Sequence, residues 1–348
     1  MDCTIITPSI GSYGGASKSA MDLILACSQN AKKTTVIYVH KSKFKKYIDG
    51  YNVENLKKNK ISLPIKLSKI TLKGIRKWMD YKFFGLHRLN KINKINSSIA
   101  IINSIAGDEI FKTINQNNYK IKILIVRESI RHFEYKFDDK NALENAKKIM
   151  LSYDKLIFVS DRVRKEWGEN MDFKKNQCYY IPNCIHETDT KKVLQLDKNY
   201  VRNKYNFKNN EYNIICVASL QYRKGQDIII KILPELYKII PEFKLHLVGP
   251  HIQPFASKLL NNKNFVKYKK HIKVWGKRKD IYKLIHASDL FLFPTRAEAF
   301  PRVILEAMSL KTPIVASEVD GISEMLEDNI SGMLFQHNDY DKIINDLS

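Results

Sequence analysis

Residues 289–309 read DLFLFPTRAEAFPRVILEAMS, and this stretch predicts a strand, a loop and a helix in that order. The run Leu290–Phe293 is entirely apolar, which is typical of a strand buried on both faces of a parallel sheet, and Pro294 ends it. Pro301 suits the first turn of a helix. Apolar residues then recur at helical spacing, at Val303, Ile304, Ala307 and Met308. The stretch therefore indicates an α/β architecture.

Two carboxylates lie near the start of this predicted helix, Glu298 in the loop and Glu306 inside the helix. A helix start offers free N–H groups and a partial positive charge, which suit a phosphate, and carboxylates beside it can accept hydrogen bonds from hydroxyl groups. A sugar nucleotide has both kinds of group. The same residues are also consistent with a structural role, Glu298 as a charge that satisfies the helix dipole and Glu306 as part of a solvated face.

The residues around the two carboxylates form a longer motif. Residues 293–300 read Phe-Pro-Thr-x-x-Glu-x-Phe, residues 301–308 read x-x-Val-x-x-Glu-Ala-Met, and residues 312–316 read Thr-Pro-Ile-Val-Ala, with Gly321 beyond them. This motif resembles the signature of glycosyltransferase family 4, a family of retaining enzymes. The resemblance implies the GT-B fold, an α/β architecture of two Rossmann-like, doubly wound parallel-sheet domains that face a central cleft.

Length and composition agree with a two-domain globular protein of 348 residues. No apolar run reaches the ~18 residues that a membrane-spanning helix needs. The chain begins directly with an apolar strand and shows no signal-peptide pattern, which predicts a cytoplasmic location. The cysteines are odd in number, scattered and without metal-site spacing, which is typical of small buried residues in a cytosolic protein: Cys3, Cys27, Cys178, Cys184 and Cys216.

The chain is strongly basic, with 59 Lys and Arg against 36 Asp and Glu. The segment Lys41–Lys94 alone has 16 basic and three acidic residues, and aromatic and basic residues alternate within 75–84. One interpretation is that the segment 41–95 lies on an anionic membrane surface at the inner face of the plasma membrane. The other is an ordinary amphipathic helix with a solvated basic face. Nucleic acid is not the expected partner.

Apolar runs alternate with helical patterns through the first half of the chain, which predicts a parallel sheet covered on both faces. The glycines Gly14 and Gly15 follow the first strand, where family members carry a glycine-rich loop that faces donor and acceptor. We predict an acceptor-binding domain at residues 1–185, a polar interdomain linker at 186–211 and a nucleotide-sugar-binding domain at 212–348. Strands are expected at Cys3–Pro8, Thr34–Val39, Ser62–Leu67, Ile99–Asn103, Lys122–Val126, Lys155–Val159 and Cys178–Ile181.

The second domain is expected to begin with a strand at Ile214–Ala218, followed by a loop with two cations and a glycine. Cations at the carboxyl end of a strand can neutralise a diphosphate; a solvated loop is the alternative. The resemblance implies that Lys224 contacts the donor phosphates together with an arginine five residues earlier. This chain has Ser219 at that position, so Arg223 is our candidate to supply the missing charge.

The resemblance assigns further positions to the donor site. Gly249 ends one strand, and backbone groups around Trp275 and Gly276 are expected to contact the base, with the Trp275 ring packing rather than stacking on it. Pro301 stands where many members have glycine and removes one backbone donor. The remaining donor-binding amides are expected at Ala299, Phe300 and Arg302.

By the same resemblance, Glu306 binds the ribose hydroxyls and Glu298 holds the hydroxyls of the transferred sugar. Uracil is the expected base, with guanine as the alternative. The cations Lys224 and Arg223 stabilise the departing diphosphate, so neither metal nor cofactor is expected. An Asp-x-Asp motif, which would suggest a metal-bridged diphosphate, occurs at residues 339–341, where it is typical of helix capping. The terminal helix near Asn338 is expected to be truncated relative to family members.

Three functions remain compatible with the sequence. The first is transfer of a sugar to a glycan or lipid-linked acceptor in the synthesis of a bacterial surface polysaccharide, such as lipopolysaccharide, capsule or exopolysaccharide. The second is transfer to a small soluble acceptor. The third is a GT-B protein that binds sugars or anions without catalysis. Glu298, Glu306 and Lys224 are in place, which argues against the third, and the basic, aromatic segment around Trp78 argues against the second. The pattern therefore favours the first.

Overall fold

The computed structural model describes residues 1–10, 15–41, 56–60, 92–135, 141–185, 187–336 and 339–347. The chain divides into two compact units. The first unit consists of Met1–Glu128, Asn141–Val159 and Trp167–Ile181. The second consists of Ser129–Lys140, Ser160–Glu166 and Pro182–Ser348. Two short segments from the first half of the sequence therefore belong to the second unit.

The described part of the first unit contains a seven-stranded parallel sheet in the order β3-β2-β1-β4-β5-β6-β7. The order reverses at β1, which lies between β2 and β4, as in a doubly wound sheet. Its strands are β1 (Asp2–Ile10), β2 (Lys33–Lys41), β3 (Leu56–Lys60), β4 (Ser97–Asn103), β5 (Tyr119–Val126), β6 (Lys155–Phe158) and β7 (Cys178–Tyr180).

Helices connect these strands wherever the structure describes the crossover. Met21 and Ile24 of the first helix are buried against Ile5 and Val36 of the sheet, which is why its apolar residues recur at helical spacing. The helices of this half of the chain are α1 (Gly15–Asn30), α2 (Asp108–Phe111), α3 (Ile130–Glu134), α4 (Ala142–Leu151) and α5 (Asp161–Glu169), with 3₁₀ turns at Ile105–Gly107 and Gln116–Asn118.

Six of the seven strands expected in this half are present. The seventh, Ser62–Leu67, lies outside the described residues. So do most of the segment 41–95, which was predicted to lie on a membrane surface, and Gly14, which was predicted to lie in a substrate-binding loop. The structure instead shows β3 at Leu56–Lys60, which pairs with β2. Its sequence, LKKNK, has one apolar residue, so no hydrophobic pattern could indicate an edge strand there.

The second unit contains a six-stranded parallel sheet in the order β10-β9-β8-β11-β12-β13 among its described residues. The order reverses between the adjacent strands β8 and β11, where Leu290 pairs with Ile214. The strands are β8 (Tyr212–Val217), β9 (Phe243–Val248), β10 (Ile272–Gly276), β11 (Leu290–Phe293), β12 (Ile314–Ser317) and β13 (Met333–Phe335).

Both faces of this sheet are buried. Ile214 and Cys216 of β8 belong to one hydrophobic cluster, and Ile215 and Val217 belong to the cluster on the other face. The alternation follows from the two-residue period of a strand, and burial of both faces explains why β8 and β11 are continuous apolar runs. The predicted doubly wound α/β architecture is confirmed.

Eight helices and three 3₁₀ turns follow residue 185 among the described residues. Burial of Ile228, Ile232 and Leu236 shows how the longest of them packs on the sheet. The helices are α6 (Glu187–Leu194), α7 (Lys198–Tyr205), α8 (Gln226–Ile239), α9 (Phe255–Leu260), α10 (Lys263–Lys267), α11 (Ile281–Ala287), α12 (Arg302–Ser309) and α13 (Tyr340–Leu347). The 3₁₀ turns are Tyr222–Lys224, Lys269–His271 and Asp320–Glu324.

The segment 186–211, expected to be a linker, is not a free connection in its described part. It forms α6 and α7, and Val193, Val201 and Phe207 are buried in a core of the second unit. Arg202 on α7 donates to the carbonyl of Ala287 at 2.9 Å. Only a few apolar residues anchor these helices. The segment is therefore mostly polar, and its sequence showed no helical pattern of apolar residues.

No helix in the described parts of the chain combines the length and the apolarity needed to cross a lipid bilayer.

Candidate active site

Two loops at the carboxyl ends of β8 and β11 form the candidate site. Residues 218–225 lead from β8 to α8, and residues 294–301 lead from β11 to α12. The two strands are neighbours at the point where the strand order reverses. Ligands bind beyond the carboxyl ends of parallel strands at such a point, because the loops diverge there and leave a crevice.

The three predicted catalytic side chains meet between these loops. Glu298 Oε1 accepts a hydrogen bond from Arg223 Nη1 at 3.1 Å and also contacts the ammonium group of Lys224. Arg223 Nη1 donates in addition to the carbonyl oxygen of Ala297. All three side chains are mostly buried, with 13% of Lys224 and 17% of each of the others exposed. Two cations are therefore held beside one carboxylate in a largely desolvated place.

Burial, and then the charge of Arg223, lower the pKa of Lys224 well below its ordinary value. The Glu298 carboxylate opposes this shift, because a negative charge in contact with the ammonium group favours its protonated form. The Lys224 Nζ atom also lies 5.6 Å from the centre of the Phe293 ring. An anionic ligand at this position would favour the charged lysine.

The loop that carries these cations lies directly against the loop after β11. Gly225 has a φ of 71°, and a Cβ atom there would lie 1.7 Å from the carbonyl oxygen of Pro294. The carbonyl oxygen of Arg223 accepts hydrogen bonds from the Arg296 N–H group at 2.8 Å and from Thr295 Oγ1 at 3.1 Å. Only glycine permits this approach, which brings Lys224 to Glu298.

Arg296 is a site residue that the sequence pattern did not single out. It makes two parallel hydrogen bonds of 2.7 Å to the carboxylate of Asp227, on the first turn of α8. Its guanidinium group lies 3.9 Å from the centre of the Tyr222 ring. Arg296 thus ties the two loops together. An arginine in the loop after β11 and an aspartate at the start of α8 were the available signals, but nothing in their spacing linked them.

Three hydrogen bonds hold the backbone of residues 298–300. The Glu298 N–H group donates to Asp320 Oδ2 at 2.9 Å, and the Gly321 N–H group donates to the Glu298 carbonyl oxygen at 3.2 Å. Asn183 Nδ2 donates to the Phe300 carbonyl oxygen at 2.8 Å. By contrast, the N–H groups of Ala299 and Phe300 meet no acceptor among the described residues. These two expected donor-binding amides are open in the sense that neither has a hydrogen-bond partner there, while Ala299 itself is 2% exposed.

Helix α12 starts one residue later than expected. Pro301 occupies the N-cap position with φ −73° and ψ 118°, and Arg302 is the first helical residue. Glu306 is 1% exposed and accepts a hydrogen bond from Tyr282 Oη at 3.3 Å. A solvated face for Glu306 is therefore wrong, because the residue faces α11 rather than water. The predicted binding of ribose hydroxyls by Glu306 stays a prediction.

The remaining predicted donor contacts lie near the ends of β8, β9 and β10. A Cβ atom on Gly249 would lie 1.9 Å from the carbonyl oxygen of Ala218, and the Gly249 N–H group donates to the Gly276 carbonyl oxygen at 2.9 Å. The Ser219 carbonyl oxygen accepts from Gln226 Nε2 at 3.0 Å. Gly15 lies in the first unit, where it begins α1.

The Trp275 indole packs within a buried polar network. Its N–H group donates to His246 Nδ1 at 3.1 Å, and His246 Nε2 pairs with Asn213 Oδ1 at 3.0 Å. Lys273 Nζ lies 3.9 Å from the centre of the indole ring, and the Phe207 ring stacks on His246 at 3.9 Å. Because Nδ1 accepts a hydrogen bond, the imidazole is neutral.

This network predicts a pH dependence of stability. Burial, followed by the charges of Lys273 and Lys244, lowers the pKa of His246 to about 3. The unfolded chain has the ordinary histidine pKa near ~6.5, so it binds a proton that the folded chain excludes. Below pH ~6.5 the folded state should lose up to ~1.4 kcal/mol of stability per pH unit through this group.

We expect urea denaturation between pH 4 and 7 to show this slope in the wild type and a shallower slope in His246→Gln. The matched control is His251→Gln, since His251 is exposed. Equal slopes in the wild type and His246→Gln would show that His246 does not drive the dependence.

Comparisons with known proteins find similarity to glycosyltransferases. Residues 197–348 match the family model of glycosyl transferases group 1. An uncharacterised glycosyltransferase of Methanocaldococcus jannaschii is 25% identical over 265 residues, which are 75% of this chain and 62% of that relative. The Escherichia coli UDP-Gal:alpha-D-GlcNAc-diphosphoundecaprenol alpha-1,3-galactosyltransferase is 37% identical over 79 residues, 23% of this chain and 20% of its own length.

The fold is also similar to that of Anabaena HepE, solved in complex with UDP-glucose, with a TM-score of 0.75 and 17% identity. The match covers 100% of this chain and 88% of HepE. The chain has the predicted GT-B fold, and its residues 197–348 are similar to the glycosyl transferases group 1 family.

Proposed function

We propose that this protein is a glycosyltransferase that transfers a sugar from a UDP-sugar to a hydroxyl group of an acceptor. The observation that carries the proposal is the meeting of Arg223, Lys224 and Glu298 between the loops after β8 and β11. The open N–H groups of Ala299 and Phe300 lie in the same loop as Glu298. Cations and amides suit a diphosphate, and the carboxylate suits sugar hydroxyls.

In this proposal the diphosphate lies against Lys224 and Arg223. The amides of Ala299, Phe300 and Arg302 donate to the donor substrate at the start of α12. Glu306 accepts hydrogen bonds from the ribose hydroxyls, and Glu298 from the hydroxyls of the transferred sugar. The base lies near the strand ends, with backbone contacts around Ser219, Gly249, Trp275 and Gly276.

The reaction we propose retains the configuration of the anomeric carbon. The bond between that carbon and the diphosphate oxygen breaks while the acceptor oxygen bonds to the carbon on the same face. The acceptor proton passes to the departing phosphate oxygen. Lys224 and Arg223 neutralise the charge that grows on the diphosphate, a task that a metal ion performs in other transferases. Transfer is therefore proposed to need neither metal nor cofactor.

The acceptor we propose is a glycan or a lipid-linked sugar in the synthesis of a bacterial surface polysaccharide. The name of the Escherichia coli relative, which specifies a diphosphoundecaprenol-linked acceptor, supports this class. A cytoplasmic protein at the inner face of the membrane would reach such an acceptor, and the basic segment 41–95 suits an anionic lipid surface. Transfer to a small soluble acceptor is the alternative.

The test is calorimetric titration of a panel of sugar nucleotides and free nucleotides, without metal, into the wild type and Glu306→Ala. We expect one nucleotide class, with uracil as the base, to bind the wild type. Affinity in Glu306→Ala should fall about 10-fold or more, because hydrogen bonds to a charged group contribute ~1.5–3 kcal/mol. The matched control is Glu242→Ala, whose side chain is exposed. An absence of nucleotide binding by the wild type would refute the proposed function.

A further inference from the structure

The carboxylate of Asp320 links three parts of the second unit. Its Oδ2 atom accepts hydrogen bonds from the Glu298 N–H group at 2.9 Å and from Ser129 Oγ at 2.6 Å. Its Oδ1 atom lies 3.7 Å from Arg131 Nε. Asp320 is 6% exposed, so these contacts are made away from water. A buried carboxylate with two such donors on one oxygen is held in one orientation.

The backbone around Asp320 is shaped to reach Glu298. Asp320 has a φ of 44°, in the left-handed region that few residues other than glycine adopt. A Cβ atom on the next residue, Gly321, would lie 1.6 Å from the carbonyl oxygen of Ala299 and 2.9 Å from Ser160 Oγ. Asp320 and Gly321 therefore hold both polar groups of the Glu298 backbone, its N–H from one and its C=O from the other.

We propose that Asp320 is a positioning residue for sugar transfer, which orients the Glu298 carboxylate and the adjacent open amides by holding the Glu298 N–H group. The inference rests on the proposed function, because it takes Glu298 as the group that contacts the transferred sugar. Asp320 itself acts through the backbone of Glu298 and not on the substrate.

The effect of losing this contact follows from where the Glu298 N–H group lies. It precedes the open amides of Ala299 and Phe300, so a rotation of the Glu298 peptide would move the side chain and both amides together. Without the Asp320 carboxylate, a mostly buried donor has no partner, and the loop must shift to reach water or another acceptor. A displacement of about 1 Å at a reacting group lowers a rate about 100-fold.

Two substitutions at Asp320 separate positioning from simple stabilisation. Asp320→Ala removes the acceptor. Asp320→Asn keeps one side-chain oxygen that can accept from the Glu298 N–H group, while its NH₂ group replaces the oxygen near Arg131. A third variant, Ser129→Ala, keeps the acceptor but removes the hydroxyl that fixes its orientation.

The assay measures release of UDP from the UDP-sugar identified by titration, with water as the acceptor. In this reaction the anomeric carbon–oxygen bond to the diphosphate breaks, the water oxygen bonds to that carbon, and the water proton ends on the diphosphate or in solvent. We expect kcat to fall about 100-fold in Asp320→Ala and to recover to within about 10-fold of the wild type in Asp320→Asn. For Ser129→Ala we expect a fall of about 5-fold, since the carboxylate stays but turns more freely.

Titration with free UDP is the second readout. In Asp320→Ala its Kd should rise by at most about 10-fold, less than the fall in kcat, because the displaced amides leave Lys224 and Arg223 to bind the diphosphate and UDP lacks the sugar that Glu298 contacts. Wild-type kcat in Asp320→Ala, or an Asp320→Asn variant as impaired as Asp320→Ala, would overturn the inference. If Asp320→Ala does not fold, Ser129→Ala decides the test. A wild-type kcat in Ser129→Ala would then overturn the inference. If the wild type does not bind UDP, the proposed function is refuted instead.

Discussion

Replacement of Lys224 with alanine is expected to lower turnover of the sugar nucleotide by ~10²–10³-fold, which is the cost of removing one preorganised group that stabilises charge in a transition state. The ammonium group of Lys224 is held by Glu298 and lies over the Phe293 ring, so it is in place before the substrate arrives. Its environment is largely desolvated, which strengthens its interaction with a departing diphosphate.

The measurement is kcat for release of UDP by the wild type and Lys224→Ala. Lys258→Ala is the matched control, since Lys258 is an exposed lysine on α9. We expect the control to match the wild type. A Lys224→Ala variant with more than about a tenth of wild-type kcat would contradict the role, because a loss that small is below the expected range.

Substitution of Glu298 with glutamine is expected to change turnover and binding in opposite directions. In the structure the Glu298 carboxylate contacts both Arg223 and Lys224, which are the cations proposed to hold the diphosphate. A diphosphate must therefore displace this carboxylate from the cations when it binds. Glutamine has nearly the same shape without the charge, so free UDP should bind Glu298→Gln about 10-fold more tightly, equivalent to ~1.4 kcal/mol.

Turnover of the UDP-sugar by Glu298→Gln should fall about 100-fold, because the charged acceptor for the sugar hydroxyls is lost at the reacting carbon. Calorimetry with UDP and an assay of UDP release measure the two effects on the same sample. Glu242→Gln is the control, since it removes an exposed carboxylate away from the loops. Weaker UDP binding by Glu298→Gln would mean that the carboxylate does not compete with the diphosphate.

The position of Arg223 was predictable from the sequence, but its contacts were not. The sequence places Ser219 where the family carries an arginine, and Arg223 was our candidate to supply that charge. In the structure its guanidinium group contacts the Glu298 carboxylate and the Ala297 carbonyl oxygen. Its role toward the donor phosphates stays a prediction. Its engagement with Glu298 depends on how the loops after β8 and β11 approach each other, which sequence spacing does not define.

The same contrast appears in the secondary structure. Strands such as β11 were predictable, because a parallel strand buried on both faces must be a continuous apolar run. Helices α6 and α7 were missed in the segment 186–211, since short helices with few buried residues resemble a polar linker. The edge strand β3 was missed for a related reason, because its hydrogen bonds to β2 need no apolar side chains.

The sequence by itself determined the α/β class, the doubly wound repeat and the loop positions of Glu298 and Lys224, because strands and helices bury apolar residues at periods that are local in the chain. The tertiary structure alone decided that Glu306 is buried, that Arg296 pairs with Asp227, and that Asp320 holds Glu298 and Ser129. Asp320 and Ser129 are 191 residues apart in sequence. Such contacts depend on the order of strands in the sheet, and no local period encodes that order.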